Sequence, residues 1–187
     1  MKKELRKYTD SELIALIRKG KKYQSEAFSE LYDRHSVKVR SFCHYMIQNS
    51  EQVEDIFQES FISFFNSICE GKKITNTRSY LYATARNLCM KFFRDKKTTV
   101  PFENEQFFVD ETNKYDKSEM LALIEKSLQL LDDIYREAFV MREFEGLSYK
   151  EIADITETSV SNAKSRVFRA HKQLIEILQP YLKDLAK

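Results

Sequence analysis

The stretch LSYKEIADITETSVSNAKSRVFRAHKQL at residues 147–174 decides the fold of the C-terminal part of the chain. Ser148 and Glu151 have the spacing of a capping box, which predicts the start of a short helix. The sequence TET at residues 156–158 predicts a tight turn, and Ser159 can cap a second helix after it. A short helix, a tight turn and a second helix together form the helix-turn-helix motif.

The second helix of this motif separates into two faces when its residues are placed at intervals of about 100°. The apolar side, which we expect to face the core, contains Val160, Ala163, Val167, Ala170 and Leu174. The opposite side contains Ser161, Ser165, Phe168, Arg169 and Lys172, with Lys164 and Arg166 at its flanks. Arg, Lys, Asn and Ser side chains on such a helix can read bases in the major groove of DNA. A solvated basic face has a similar composition, but the capped helix before it and the absence of acidic residues from residues 158–174 favour DNA binding.

Length and composition restrict the fold class. The chain has 187 residues, which is enough for one medium domain or two small ones. Three glycines and two prolines are too few for a turn-rich all-β fold, and the 42% of hydrophobic residues can fill a core. We therefore predict an all-α protein.

Charge and cysteine content bear on partners and location. The formal net charge is only +2, so a nucleic-acid partner would be bound through local clusters of charge. No apolar run approaches the ~20 residues that span a bilayer, and no apolar segment follows the basic N-terminus, so we expect a cytoplasmic protein without membrane insertion. Cys43, Cys69 and Cys89 lack metal-ligand spacing and are predicted to be small buried thiols. No metal, cofactor or catalytic residue is expected.

Four more helices are predicted in the N-terminal half. The sequence TDSE at residues 9–12 is a second capping box, Gly20 can end the first helix, and Ser25 can cap the next. The third helix is expected over residues 50–70 and the fourth over residues 78–96. Each has apolar residues at helical spacing.

We predict a linker at residues 98–118. They contain five acidic residues against two lysines, they include Pro101, and their apolar residues follow no steady period. Helical periodicity resumes at residue 119.

The fourth helix ends in a second basic cluster. It contains Arg86, Lys91, Arg94, Lys96 and Lys97, interleaved with Tyr80, Tyr82, Phe92 and Phe93. Aromatic side chains can stack on exposed bases while cations follow the strand. An aromatic stripe on a helix is equally typical of a core, so both interpretations stay open.

The third helix carries acidic residues where the fourth carries basic ones. Its acidic and amide residues are Glu51, Glu54, Asp55, Gln58 and Glu59. Acidic residues at a helix start interact favourably with the macrodipole. They could equally form a docking face for a basic partner, and the residues alone do not decide between the two.

The order of these motifs resembles that of bacterial RNA polymerase sigma factors, in particular the small extracytoplasmic-function (ECF) branch. AFSELYDRHSVKVRSFCHYMI, VEDIFQESFISFF and SYLYATARNLCMKFFRDKK are similar to the first domain of that family, region 2. LLDDIYREAFVMREFEGLSYKEIADITETSVSNAKSRVFRAHKQL is similar to its second domain, region 4. The resemblance covers residues 27–178. It implies a region-2-like helical bundle at residues 1–97, a linker at 98–118 and a region-4-like helix-turn-helix domain at 119–187.

The resemblance also implies the roles of particular residues. Contacts with the −35 element as duplex fall on Ser161, Asn162, Lys164, Ser165, Arg166, Arg169 and Lys172. Capture of the −10 element as single strand falls on Lys72, Lys73, Thr75, Asn76, Asn87, Lys91 and Arg94. Binding of the polymerase β′ clamp helices falls on Glu54, Asp55, Gln58 and Glu59. Glu157 departs from the family, which usually has Gly at this turn, and a positive φ there would cost roughly 1 kcal/mol.

The implied function is that of a promoter-specificity subunit, not an enzyme. Its partners would be core RNA polymerase, through the β′ clamp helices and the β flap, and promoter DNA. An anti-sigma factor, which in this family often sits in the inner membrane, is a further candidate. The main alternative is a stand-alone helix-turn-helix transcriptional regulator, which leaves the second basic cluster and the acidic helix unexplained. An enzyme is disfavoured, because the sequence has no HExxH, no P-loop and no carboxylate cluster suited to two metals.

Overall fold

The computed structural model describes residues 5–99 and 117–185. Within these ranges it contains eight α-helices, one π-helical turn and no β-strand, in agreement with the predicted all-α class. The helices are α1 (Asp10–Arg18), α2 (Lys21–Met46), α3 (Ser50–Cys69), α4 (Thr77–Thr99), α5 (Lys117–Gln129), α6 (Asp133–Phe139), α7 (Tyr149–Thr156) and α8 (Val160–Leu185), and the π-helical turn (Val140–Phe144) continues α6. We call α1–α4 the N-terminal block and α5–α8 the C-terminal block.

Local capping signals place three helix starts where the sequence predicts them. Thr9 and Glu12 form a reciprocal capping box at α1, in which the Thr9 N–H donates to Glu12 Oε2 at 2.7 Å. Ser148 and Glu151 form the same motif at α7. Ser159 Oγ accepts a backbone N–H from the first turn of α8 at 3.1 Å. Each cap satisfies donors that the first helical turn leaves without an intrahelical partner.

The predicted start of the second helix is wrong. Ser25 lies inside α2, which begins at Lys21 directly after Gly20. Gly20 has a φ of 111°, a conformation that glycine adopts without the steric cost of a side chain. The chain can therefore pass from α1 into α2 without the polar segment that a serine cap would need.

Aromatic contacts connect α2, α3 and α4 in the N-terminal block. The rings of Tyr32 and Phe61 lie 4.9 Å apart between α2 and α3. The rings of Phe42 on α2 and Tyr82 on α4 pack in a T-shaped arrangement, with centroids 5.4 Å apart. Such pairs contribute roughly 0.5–1.5 kcal/mol each beyond the area they bury. They fix α3 and α4 against α2.

A buried arginine holds the C-terminal block together. The guanidinium of Arg136 donates to the carbonyl oxygens of Leu128 at 2.9 Å, Gln129 at 3.2 Å and Leu131 at 3.0 Å. It also donates to the Met46 carbonyl oxygen, at the end of α2, at 3.1 Å. Carbonyls at a helix end have no intrahelical donor, so Arg136 satisfies the ends of α5 and α2 together. Burial lowers the pKa of Arg136.

The two blocks pack directly against each other. Tyr45 on α2 stacks on Phe144 of the π-helical turn, with ring centroids 4.2 Å apart. The Tyr82 hydroxyl on α4 donates to Glu145 Oε2 at 2.6 Å, and Arg78 donates to the Glu145 carbonyl oxygen. Burial raises the pKa of Tyr82, so its hydroxyl stays protonated and keeps donating.

The predicted linker falls mostly outside the described residues. Helix α4 ends at Thr99 and α5 begins at Lys117, so residues 100–116 lie outside the described part. The described helices therefore enter the predicted segment 98–118 by two residues at each end.

Two of the three cysteines are buried as predicted. Cys43 and Cys89 lie in the core, but Cys69 is exposed and the prediction for it is wrong. Cys69 lies on the same side of α3 as Ile62 and Asn66, seven and three residues earlier, which are also exposed. Among the described residues, no helix is long and apolar enough to cross a membrane.

Candidate nucleic-acid interface

Helix α8 rests on the core through the predicted apolar side. Ala163, Val167, Ala170 and Leu174 are buried. Val160 is 42% exposed, so the prediction for this residue is wrong, and the apolar contact begins one turn later. The rotation of α8 about its axis is therefore fixed by its apolar stripe.

Most residues predicted to contact the −35 element lie on the exposed side of α8. They are Ser161, Asn162, Lys164, Ser165, Arg169 and Lys172. Arg169 Nη1 donates to the Tyr135 hydroxyl at 3.2 Å, and the Lys164 ammonium lies 5.7 Å from the ring centre of Tyr149. Exposed contacts of this kind contribute little to stability, so these side chains can turn toward a ligand at small cost.

Arg166 is placed differently from the other predicted −35 residues. Its side chain is 16% exposed and turns toward the C-terminal block's interior, where Nη1 donates to Glu137 Oε1 at 3.3 Å. The buried carboxylate draws this arginine away from the outward face. In this conformation Arg166 is a contact between helices.

Phe168 is an outward-facing residue that sequence reasoning does not assign to DNA. Its side chain is 70% exposed, between Ser165 and Arg169 on the same side of α8. An apolar side chain on a recognition helix can contact the methyl group of thymine. The helical wheel places Phe168 outward, but its residue type is not typical of base reading through hydrogen bonds.

The residues predicted to meet the −10 element lie in and after the loop between α3 and α4. All of them are exposed: Lys72, Lys73, Thr75, Asn76, Asn87, Lys91 and Arg94. Arg18 of α1 anchors this loop by donating to the carbonyl oxygens of Ile68 at 3.3 Å and Lys72 at 2.5 Å. Asn76 Oδ1 accepts the Ser79 N–H at 2.9 Å, so Asn76 also caps α4. The adjacent Glu70 carboxylate raises the pKa of Lys72, which therefore stays cationic.

The aromatic residues of the second basic cluster serve mainly in packing. Tyr82 is buried, and the Tyr80 hydroxyl donates to Ser67 Oγ of α3 at 2.6 Å. The guanidinium of Arg136 lies 5.4 Å from the ring centre of Phe93. Of the two interpretations left open by the sequence, the structure supports a core stripe for these three aromatic residues.

Arginines of α4 and α8 meet at one buried carboxylate. Glu137 of α6 is fully buried and accepts Arg86 Nε at 2.6 Å and Arg86 Nη2 at 3.2 Å, in addition to the Arg166 contact. Burial raises the pKa of Glu137, and the two guanidinium groups oppose that shift. Arg86 therefore belongs to the contact between the two blocks, although the sequence places it in the basic cluster.

The acidic residues of α3 lie mainly on its exposed side. Asn49 caps the helix and Glu51 is the acidic residue of its first turn, so the macrodipole accounts for Glu51 alone. The residues predicted to bind polymerase follow one exposed stripe: Glu54, Asp55, Gln58 and Glu59. Glu54 pairs with Arg40 of α2 at 2.9 Å, beside an open groove of about 570 Å³ between α2 and α3. The macrodipole therefore does not account for these four residues, and their role stays a prediction.

Both blocks match models of known domains. Residues 31–99 match the family model described as Sigma-70 region 2, and residues 121–174 match the model described as Sigma-70, region 4. The RNA polymerase sigma-H factor of Pseudomonas aeruginosa is 27% identical, over 94% of this chain and 96% of the relative. The ECF RNA polymerase sigma-E factor of Haemophilus influenzae is 26% identical, over 93% of this chain and 97% of the relative.

Solved structures show the same fold. CnrH, in a complex with the cytosolic domain of CnrY, superposes with a TM-score of 0.68 at 21% identity, over 91% of this chain and 97% of that chain. The sigma factor RpoE of Bartonella quintana, in a complex with the anti-sigma factor NepR, superposes with a TM-score of 0.66 at 22% identity, over 81% of this chain and 96% of that chain. Both likenesses concern the arrangement of the helices.

Proposed function

Because the chain belongs to the ECF group of the sigma-70 family of RNA polymerase sigma factors, we propose that its two exposed polar surfaces divide promoter recognition between them. The chain binds core RNA polymerase and directs promoter-specific initiation. It belongs to a family without catalytic activity of its own, and we place its action in the cytoplasm, where the polymerase works.

The outward face of α8 supports reading of the −35 element as duplex. Its exposed serines, Asn162, Lys164 and Arg169 form one stripe above a buried apolar stripe, so the helix can enter a major groove while its other side stays on the core. We assign base contacts to Arg169 and Ser165 and phosphate contacts to Lys172. This separation of faces is the observation that carries the proposal.

The loop before α4 and the exposed side of α4 support capture of the −10 strand. Lys72 and Lys73 bring positive charge to a loop that Arg18 anchors, and Asn87 is exposed further along the helix. A base must leave the stack before a side chain can read its edge, at a cost of a few kcal/mol. Lys91 and Arg94 can stabilise the displaced strand through its phosphates.

The exposed stripe of α3 supports docking on polymerase. Its carboxylates suit a basic partner surface, and we assign that surface to the β′ clamp helices. We assign the β flap to the C-terminal block. Polymerase then joins two weak DNA contacts in one complex, and the second contact benefits from a raised effective concentration.

An anti-sigma factor is a further proposed partner. Two solved structures with this fold are complexes, CnrH with the cytosolic domain of CnrY and RpoE with the anti-sigma factor NepR. We propose that a regulator of this kind binds the present chain as well.

Run-off transcription with core RNA polymerase tests the proposal. On genomic fragments from the source organism, the wild-type chain should create new start sites, and both Asn87→Ala and Arg169→Ala should remove them. Asn66→Ala and Arg6→Ala change exposed residues of the same types outside the assigned surfaces and should leave the start sites intact. If no start sites appear and the chain alone binds a palindromic duplex as a dimer, the stand-alone regulator replaces this proposal.

A further inference from the structure

The Glu137 carboxylate connects the two helices to which promoter recognition is assigned. Arg86 of α4 holds it through two N–H donors, at 2.6 and 3.2 Å, and Arg166 of α8 holds it through a third at 3.3 Å. Arg86 directly precedes Asn87, and Arg166 directly follows Ser165. One buried side chain therefore engages the immediate neighbours of a proposed −10 contact and a proposed −35 contact.

This closed arrangement cannot serve both promoter elements at once. Elements centred about 25 base pairs apart are separated by roughly 85 Å, at about 3.4 Å per base pair. In the structure, guanidinium groups from α4 and α8 lie within 3.3 Å of the same carboxylate. The two blocks must separate before their DNA-reading helices can reach their elements.

We infer that Glu137 competes with DNA phosphates for Arg86 and Arg166. It holds the chain in a closed conformation, which opens when Arg86 no longer binds the Glu137 carboxylate. The inference rests on the proposed function, since closure matters only if α4 and α8 both read promoter DNA. A guanidinium group binds carboxylate and phosphate in the same bidentate geometry. DNA phosphates can therefore replace Glu137 as the partner of both arginines, and opening is then coupled to promoter binding.

The energetics of buried charge make Arg86 the sensitive member of this cluster. A buried ion pair gains little over its desolvation cost, but removal of one partner strongly destabilises the state that buries the remaining charge. Without Arg86, the fully buried Glu137 carboxylate keeps a single cationic contact among the described residues, which is Arg166. Separation of the blocks would then return the carboxylate to water.

A pair of substitutions tests the inference on the full chain. Small-angle X-ray scattering should give a radius of gyration near that of a compact body for the wild type, about 16 Å for this length before any contribution from the segments outside the described residues. Arg86→Gln should increase it by about 3 Å or more, because the blocks separate. The double variant Arg86→Gln/Glu137→Gln should return toward the wild-type value, because the buried charge is gone. Glu176→Gln, a neutralised carboxylate that is exposed on α8, is the matched control and should scatter like the wild type.

Binding to core RNA polymerase supplies an independent readout. If only the open conformation binds, its population sets the apparent affinity, so Arg86→Gln should bind about threefold or more tightly and the double variant should lose that gain. An unchanged radius for Arg86→Gln, or an increase that Glu137→Gln does not reverse, overturns the inference. Return of the radius of gyration in the double variant also excludes a folding defect as the cause of the increase. If no variant binds polymerase, the proposed function fails, while the scattering result still decides whether Glu137 holds the blocks together.

Discussion

Helices α4 and α8 both carry clusters of basic residues, but only one of them separates its roles by face. On α8, Val167 and Ala170 are buried while Ser165 and Arg169 are exposed, so a helical wheel distinguishes packing from binding. On α4, aromatic residues contact α3 and the C-terminal block, and Arg86 is engaged by Glu137. For a helix that packs on one side, the sequence predicts which residues are exposed. For a helix that packs on two sides, that prediction also requires the positions of the neighbouring helices.

The largest expected change is in the free energy of unfolding, and it distinguishes a buried arginine from an exposed basic residue. Arg136→Met removes donors to four carbonyl oxygens at the ends of α5 and α2 and should lower the free energy of unfolding by about 3 kcal/mol. Lys91→Met, on the exposed side of α4, should change it by less than about 0.5 kcal/mol. Urea unfolding followed by circular dichroism measures both. Equal effects would contradict the structural role given to Arg136.

The next effect separates base reading from phosphate binding on α8. Arg169→Ala should weaken holoenzyme binding by about 1–3 kcal/mol and relax discrimination at one −35 position. Lys172→Ala should weaken binding to all promoters alike and reduce the slope of log K against log salt by about 1. Binding isotherms on single-substitution −35 duplexes at several salt concentrations measure both effects. Loss of discrimination with Lys172→Ala would reverse the two assignments.

The sequence predicts those features of the fold that depend on neighbouring residues. The caps formed by Thr9 and Ser148 need only a partner three residues away, and both are present. The exposed side of α8 likewise follows from helical periodicity. Local spacing is enough to specify these features.

Features that depend on distant residues could not be predicted in the same way. Glu137 contacts Arg86 across 51 positions of the chain, and no local pattern distinguishes it from the acidic residues near it. The inward turn of Arg166 follows from that contact.

A smaller effect tests the turn of the helix-turn-helix motif. Glu157 adopts φ 53° and ψ 44° at the end of α7, a left-handed conformation that costs a residue with a side chain roughly 1–2 kcal/mol. Glu157→Gly should therefore raise the free energy of unfolding by about 1 kcal/mol, after allowance for the greater freedom of glycine in the unfolded chain. Glu143→Gly, inside the π-helical turn, serves as the contrast and should destabilise. Destabilisation by Glu157→Gly would show that the turn depends on this side chain.

The smallest expected effect decides between packing and base stacking for the aromatic residues of α4. Tyr80→Phe keeps the ring but removes the hydroxyl that donates to Ser67 Oγ at 2.6 Å. The free energy of unfolding should therefore fall by about 0.5–1 kcal/mol. A phenyl ring stacks on a base about as well as a phenol ring, so affinity for single-stranded −10 oligonucleotide in the holoenzyme should not change. The decisive comparison is Tyr80→Leu, which keeps an apolar side chain and removes the ring. If Tyr80 acts only in packing, Tyr80→Leu lowers stability and leaves oligonucleotide affinity unchanged. A selective loss of that affinity would instead show that α4 presents this ring to DNA when the blocks separate.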